Sequence, residues 1–202
     1  MSSCPRRSRR VPGICMLFLL LLFAFPAVSL ASGQTTEASL WKLLQKPDHF
    51  AMLRHALAPG TGDPADFTLG DCSTQRNLSE EGRSQATRIG ERIREKGTSG
   101  ADVYTSQWCR CRDTAELLGL GPVNELPSLN SFFRNFERET RQTAELADWL
   151  ETRDPDKPLV LVTHQVNITA LTGVFPESGE LVIGRRERDG GFSVAGPIKT
   201  DC

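Results

Sequence analysis

Three histidines occur in this chain of 202 residues: His49, His55 and His164. Two of them share a setting. His55 follows the apolar run Phe50-Ala51-Met52-Leu53 and Arg54, and His164 follows Leu159-Val160-Leu161-Val162 and Thr163. Arg110 lies just past a third short run, Asp102-Val103-Tyr104-Thr105. Such runs read as buried strands. In an open α/β sheet, ligands bind outside the carboxyl ends of the strands. If the first and last of these strands are neighbours, two imidazoles and two guanidinium groups reach one sheet edge. His49 stands at the start of its strand, the wrong end, and reads as structural.

That set suits a phosphoryl group. Arg54 and Arg110 each offer a planar pair of N–H donors to its oxygens. The start of the helix after Thr105 adds backbone N–H groups for the same anion. A neutral imidazole is a competent nucleophile toward phosphorus, and a cationic cradle stabilises the transferring oxygens. On this reading His55 is the nucleophile, and His164 gives a further donor. No cofactor is called for. No metal is either, because the paired carboxylates of a two-metal site are not evident.

The elements that must position these residues are legible in outline. Thr36 caps a helix over 37–46, with Leu40, Trp41, Leu43 and Leu44 on its apolar side. Ser79 opens a longer helix with Glu80 and Glu81 in its first turn, where the dipole favours acids. Helices are also expected over 108–118, over 140–153 and just after His164. A weak strand is expected near Val123, and a hairpin pairs Leu181–Ile183 with Phe192–Val194 around Asp189-Gly190-Gly191. Residues 58–72 hold Pro59, Gly60, Gly62, Pro64 and Gly70, and a loop of this length in a compact domain tends to be functional. Residues 124–138 read as irregular. Strands alternate with helices, which argues a three-layer α/β/α sandwich with a largely parallel central sheet.

The first 31 residues differ from the rest. Arg6, Arg7, Arg9 and Arg10 precede an uncharged stretch with the core Met16-Leu17-Phe18-Leu19-Leu20-Leu21-Leu22-Phe23, then Pro26 and the small residues Ser29 and Ala31. This is the layout of a secretory signal peptide cleaved after Ala31. The rival reading is a membrane anchor, which needs about 20 apolar residues. Ser8-Arg9-Arg10 also resembles a twin-arginine export signal. A short linker, 32–36, leads to a domain over 37–202. The chain carries 24 basic and 25 acidic side chains. Loss of the four N-terminal arginines leaves the domain acidic, so no nucleic-acid footprint remains. Stable membrane insertion is not expected after cleavage. The product would be periplasmic or secreted, where cysteines pair. Cys72 would then take one of Cys109 and Cys111, and Cys202 the other. A zinc site is disfavoured, since Cys109-Arg110-Cys111 lacks the usual ligand spacing.

Four segments together resemble the histidine phosphatase (phosphoglycerate mutase-like) superfamily, branch 1, and its small exported bacterial members in particular. Leu53-Arg54-His55 is similar to its Arg-His-Gly signature. The segment Leu78-Ser79-Glu80-Glu81-Gly82-Arg83-Ser84-Gln85-Ala86 is similar to its Leu-Thr/Ser-x-x-Gly-x-x-Gln-Ala helix. The run from Thr105 through Arg110 to Thr114-Ala115 is similar to its Ser-Pro-x-x-Arg-x-x-x-Thr-Ala segment, and Val162-Thr163-His164 to its second histidine segment. The resemblance implies a phosphoglycerate mutase-like fold and a phosphoric monoester hydrolase of the histidine acid phosphatase type. It makes His55 the phosphorylated residue and Arg54, Arg110 and His164 the phosphate pocket. The substrate would be a phosphorylated small molecule or an envelope glycan, such as a lipopolysaccharide core heptose. Three positions depart from the pattern. Ala56 replaces the Gly, Gln107 replaces the Pro, and Ser131 stands where many members place a proton-donating Glu. Asp63, Asp66, Glu125 and Glu137 are the candidate substitutes. The missing acid motivates a second reading, a phosphate- or anion-binding domain of the cell envelope with little or no turnover. A phosphomutase ranks third.

Overall fold

The computed structural model describes residues 36–153, 157–187 and 191–200. The expected signal peptide, most of the linker, Asp189-Gly190 and Cys202 lie outside the described residues. Thr36 caps α1 (Glu37–Leu43), which ends before the expected Lys46. Then come β1 (His49–Arg54), α2 (Glu80–Glu95), β2 (Asp102–Thr105) and α3 (Cys109–Leu118). The Ser79 hydroxyl caps α2 by accepting from Gly82 N at 3.0 Å. Trp108 is the extended residue before α3, so that helix starts one position later than expected. β3 (Val123–Glu125), α4 (Glu139–Thr152), β4 (Leu159–Thr163), α5 (Gln165–Thr172), β5 (Leu181–Arg186) and β6 (Phe192–Ile198) complete the order. The stretch read as irregular holds β3 and two single 3₁₀ turns, Pro127–Leu129 and Phe136–Arg138.

The six strands form one sheet in the order β3-β2-β4-β1-β5-β6. β3, β2, β4 and β1 are parallel. β5 and β6 extend the sheet antiparallel beyond β1, as the expected hairpin requires. The side-chain alternation of a strand then builds two cores. Ala51, Leu53, Val160 and Val162 face Leu40, Ile89, Ile93 and Leu118 of α1–α3. Phe50, Met52, Leu159 and Leu161 face Leu146, Leu150 and Ile168 of α4 and α5. Both faces of β1 and β4 are therefore apolar, which is why those runs show no polar alternation. This is a three-layer α/β/α sandwich of the phosphoglycerate mutase-like kind, with a mostly parallel mixed sheet.

α2 lies tight against α3. A Cβ on Gly90 would sit 2.0 Å from the Leu118 carbonyl oxygen, and one on Gly82 equally near that of Leu57. Two effects oppose each other for Gly90→Ala. Helix propensity favours alanine by about 0.8–1.0 kcal/mol. Overpacking against fixed backbone costs about 1–3 kcal/mol. The clash is with a carbonyl and not a flexible side-chain tip, so packing wins. G90A is expected to lower the melting temperature of the domain by several degrees, read by calorimetry; an increase would show that α2 and α3 can separate freely.

Candidate active site

β1 and β4 are adjacent and in register, with Leu53 opposite Val162 and Arg54 opposite Thr163. The pairing continues one step, as His55 N donates to Thr163 O at 2.9 Å. The next residue of each strand is then His55 or His164, and their rings lie 5.5 Å apart. Both are buried. β2 pairs with the other side of β4, with Thr105 opposite Val162, and so delivers α3 and Arg110 to the same edge.

The Arg110 guanidinium spans both imidazoles. Its Nε lies 3.3 Å from His55 Nε2 and its Nη2 3.4 Å from His164 Nδ1. Its other side grips Asp63, at 2.7 Å through Nη1 and 3.2 Å through Nη2. Nη1 also reaches the Arg76 carbonyl. These partners fix the tautomers. His55 Nδ1 meets the Ala56 carbonyl at 2.8 Å, so it carries the proton and leaves the Nε2 lone pair directed at Arg110. His164 Nε2 meets Ser106 Oγ at 2.9 Å, and Ser106 in turn meets Asn130 Oδ1 at 3.3 Å. That chain is satisfied with the His164 proton on Nε2. Burial, then the Arg110 charge, holds both imidazoles well below the usual histidine range. Both are neutral near pH 7.

Asp63 was a candidate proton donor, and the structure corrects that. Burial alone would raise its carboxyl. Arg110, the Arg76 N–H and the Trp108 indole, at 3.1 Å, hold it below the usual carboxylate range instead. It is the counter-charge of Arg110. The other candidates, Asp66, Glu125 and Glu137, do not line the cavity, and Glu125 is held by Gln107 and Arg112. Ser131 does line it, but a hydroxyl is a poor acid. A second correction concerns the start of α3. Trp108 N donates to Ser106 Oγ at 3.3 Å, Cys109 N to Gln75 Oε1 at 3.0 Å and Cys111 N to Trp108 O at 2.9 Å. These three are committed within the protein and do not serve an anion.

Arg54 and Arg110 both line a cavity of about 370 Å³ with His55 and His164. Arg54 Nη1 donates to Pro176 O at 2.9 Å, while its buried Nε has no partner among the described residues. Arg76, missed in the sequence, lines it too. Its Nε and Nη1 donate to the Gly62 and Ala58 carbonyls. Burial and the neighbouring Arg110 bring its pKa down to about 10, which still leaves it charged near pH 7. Trp108 stacks on Phe67 at 5.1 Å to form a wall. Phe133 is another wall, whereas Phe132 is core. Gln85 and Asn167 are structural. Gln85 ties Leu57 N to Ser178 O, and Asn167 holds the Asn130 carbonyl at 2.9 Å in place of capping its own helix. His49 bonds Asp48 at 2.7 Å, away from the cavity. Gln107 does what a proline could not: its N–H donates to Asn130 Oδ1 at 2.9 Å.

One expected cysteine pairing is present, Cys72 with Cys109. It ties the loop that carries Asp63 to the residue before Arg110. The second is not. Cys111 is a free thiol, buried 3.5 Å from His164 Nε2. Burial pushes it up to about 12, so it packs as a neutral side chain.

The sequence profile of the histidine phosphatase superfamily, branch 1, matches residues 51–147, which include the end of β1 with Arg54, His55, α2, α3 and Arg110. That stretch of the chain is similar to the superfamily. Solved structures agree in fold. A phosphoserine phosphatase from Entamoeba histolytica, in complex with 3-phosphoglyceric acid, aligns at 14% identity over 75% of this chain and 96% of its own, with a TM-score of 0.54. The protein histidine phosphatase SixA with tungstate aligns at 13% identity over 75% and 97%, TM-score 0.53. A mycobacterial glucosyl-3-phosphoglycerate phosphatase complexed with VO3 aligns at 19% identity over 73% and 96%, TM-score 0.51. No curated protein sequence matches significantly. Ala56 is accommodated: it is fully buried, and its N–H reaches Thr114 Oγ1 at 3.1 Å.

Two measurements check these electrostatics. A base with a lowered folded pKa takes up fewer protons than the unfolded chain below about pH 6.5. Imidazole NMR should therefore show His55 and His164 neutral from pH 8 to below pH 6, with stability eroding as the pH falls past 6.5. Protonation of either ring near 6.5 would contradict this. The Asp63 contribution has the sign of a depressed acid, present above about pH 4 and lost as the pH falls through its folded value. D63N leaves Arg110 buried without a counter-charge. About 2–3 kcal/mol of stability should go, less than for a fully buried pair because one edge of Asp63 is exposed. Unchanged denaturant midpoints for D63N would refute the ion pair as a support.

Proposed function

We propose that this protein is a metal-independent phosphatase that transfers a phosphoryl group to His55 Nε2 and then to water. The observation that carries the reading is the His55 ring: buried, neutral, protonated on Nδ1 toward Ala56 O, with its free lone pair aimed into an arginine-lined cavity. Arg54, Arg76 and Arg110 bind the equatorial oxygens. The long Arg110 contacts to the two imidazoles are those that phosphate oxygens take over. A bound dianion also offsets the repulsion that keeps His164 neutral, so His164 gains a proton on Nδ1 and donates to the phosphoryl group.

In the first step the Nε2–P bond forms and the bond from phosphorus to the leaving group, P–O in an ester or anhydride and P–N in a phosphoramidate, breaks, the departing group taking any proton it needs from water. The phosphoimidazolium keeps its Nδ1 proton on the Ala56 carbonyl. In the second step water attacks phosphorus, the N–P bond breaks and inorganic phosphate departs. Asp63 is the one carboxylate among the described residues that lines the cavity, and it is committed to Arg110. Expulsion of a poor alkoxide without an acid is slower by about 10²–10⁴-fold. The enzyme therefore favours substrates with good leaving groups, such as phosphoramidates and anhydrides. The same missing acid supports the second reading, an anion-binding domain with little turnover.

Export belongs to this proposal. Residues 1–31 act as a cleavable signal, 32–36 as a linker and 37–202 as the domain, acting in the periplasm or outside the cell. The Cys72–Cys109 disulfide supports an oxidising compartment. No helix among the described residues is long and apolar enough to cross a membrane. Candidate substrates are phosphorylated small molecules and envelope glycans.

Hydrolysis of p-nitrophenyl phosphate in EDTA tests the mechanism, because its good leaving group removes the need for an acid. Wild-type turnover should persist in EDTA, acid-quenched protein should carry phosphate on nitrogen, and H55A should lose at least about 10³-fold. Turnover abolished by EDTA, or retained by H55A, defeats the mechanism. Phosphate binding without turnover would favour the second reading.

A further inference from the structure

The cavity holds more positive charge than one phosphate monoester needs. Five arginines line it: Arg54, Arg76 and Arg110 at the base, with Arg134 and Arg138 from the segment between β3 and α4. Asp63 is the only carboxylate among the described residues that lines it. Its ion pair is with Arg110 at 2.7 Å. Arg54, Arg76, Arg134 and Arg138 make no ion pair with a described carboxylate. Glu137, the acid nearest in sequence to the last two, does not line the cavity, and the Asn135 amide faces it. A phosphate monoester brings at most about two negative charges. The three basal arginines, less Asp63, already match that, so Arg134 and Arg138 are positive charge in excess.

Arg134 is also held in an unusual backbone. Its φ of 69° makes it the only non-glycine residue in the left-handed region among those described. Such conformations are disfavoured for long side chains and cluster at functional sites. Here the turn lays the guanidinium against the loop that carries Asp63. A Cβ on Gly62, itself at φ +73°, would lie 3.1 Å from Arg134 Cζ. Arg134 also sits 5.8 Å from the Phe133 ring, a cavity wall. Arg138 is braced by Gln142 Oε1 at 2.8 Å, a neutral partner that leaves its charge unanswered. Two supported guanidinium groups at the rim, uncompensated by any contacting acid, are a built anion site.

Resting on the phosphatase reading, we infer that Arg134 and Arg138 form a second anionic subsite, so that the substrates are phosphoesters bearing another phosphate or carboxylate group. The basal arginines take the phosphoryl group that reacts, and the rim pair takes the other anion. An alternative source of the second charge, carboxylate or phosphate, changes the probe but not the site.

Calorimetric binding to full-length H55A, which does not turn over, tests this with two matched pairs. Phenyl phosphate is compared with 4-carboxyphenyl phosphate, and glucose 6-phosphate with glucose 1,6-bisphosphate. In at least one pair the doubly anionic member should bind about tenfold or more tightly, and which pair shows it identifies the second anion. The gap should shrink in 0.5 M salt and fall to under about threefold in an added R134Q/R138Q substitution, with the melting temperature retained. Equal affinity within both pairs, or a gap that R134Q/R138Q keeps, overturns the subsite while leaving the phosphatase reading intact. Binding of none of the four overturns both. Steady-state hydrolysis by the otherwise wild-type R134Q/R138Q protein gives a second readout. Its kcat/KM should fall at least tenfold further for the bis-anionic member than for p-nitrophenyl phosphate, and equal losses for the two count against the subsite.

Discussion

A guanidinium that leaves water must find a counter-charge and acceptors for its N–H groups, or it destabilises the fold by several kcal/mol. Arg110 is 2% exposed and meets that demand with Asp63, the Arg76 carbonyl and the lone pairs of two imidazoles. The rest of the site follows from those four partners. The imidazoles must be neutral to accept, which sets their tautomers and keeps the His55 lone pair directed into the cavity. The carboxylate must stay ionised, which removes it from proton transfer. The loop that carries it must stay closed over α3, which the Cys72–Cys109 bridge and the Phe67–Trp108 stack assist.

The sheet supplies the other half of the constraint. Parallel pairing in register places equivalent positions of β1 and β4 side by side, so their chain continuations leave the sheet together. A slip of one residue would send each side chain to the opposite face. Both strands are apolar on both faces, packed between α1–α3 and α4–α5, and that double burial fixes the register. Rigidity at the sheet edge thus comes from the two cores. The polar network is built on top of it.

The polar second layer is also where the chain departs from the superfamily's pattern. Gln107 and Asn130 exchange two hydrogen bonds, at 2.9 Å each, and replace a proline turn with a bonded one. Asn130 at the same time steadies Ser106, and through it His164. Ser131, next in the chain, carries no acid to the cavity. The arrangement keeps the arginine- and histidine-lined floor of the cavity without bringing an acid to it.

The sequence by itself determined the strand and helix order, the export-like N-terminus, and the placement of His55, His164, Arg54 and Arg110 at strand ends. Those features are local: apolar runs, caps and the residue next in the chain carry them. What faces what was decided by tertiary structure. Asp63 is 47 residues from Arg110, and nothing in its neighbourhood distinguishes it from Asp66. Arg76 lies in a segment whose composition marks only a loop. The choice of Cys109 over Cys111 as the partner of Cys72 turns on which face of the first turn of α3 each occupies, one toward the loop and one toward His164. The helix start looked open for an anion because its competing acceptors, Gln75 and Ser106, come from outside the helix. Long-range acceptors and counter-charges leave no periodic trace in a chain, so they emerge only when the sheet brings the loops together.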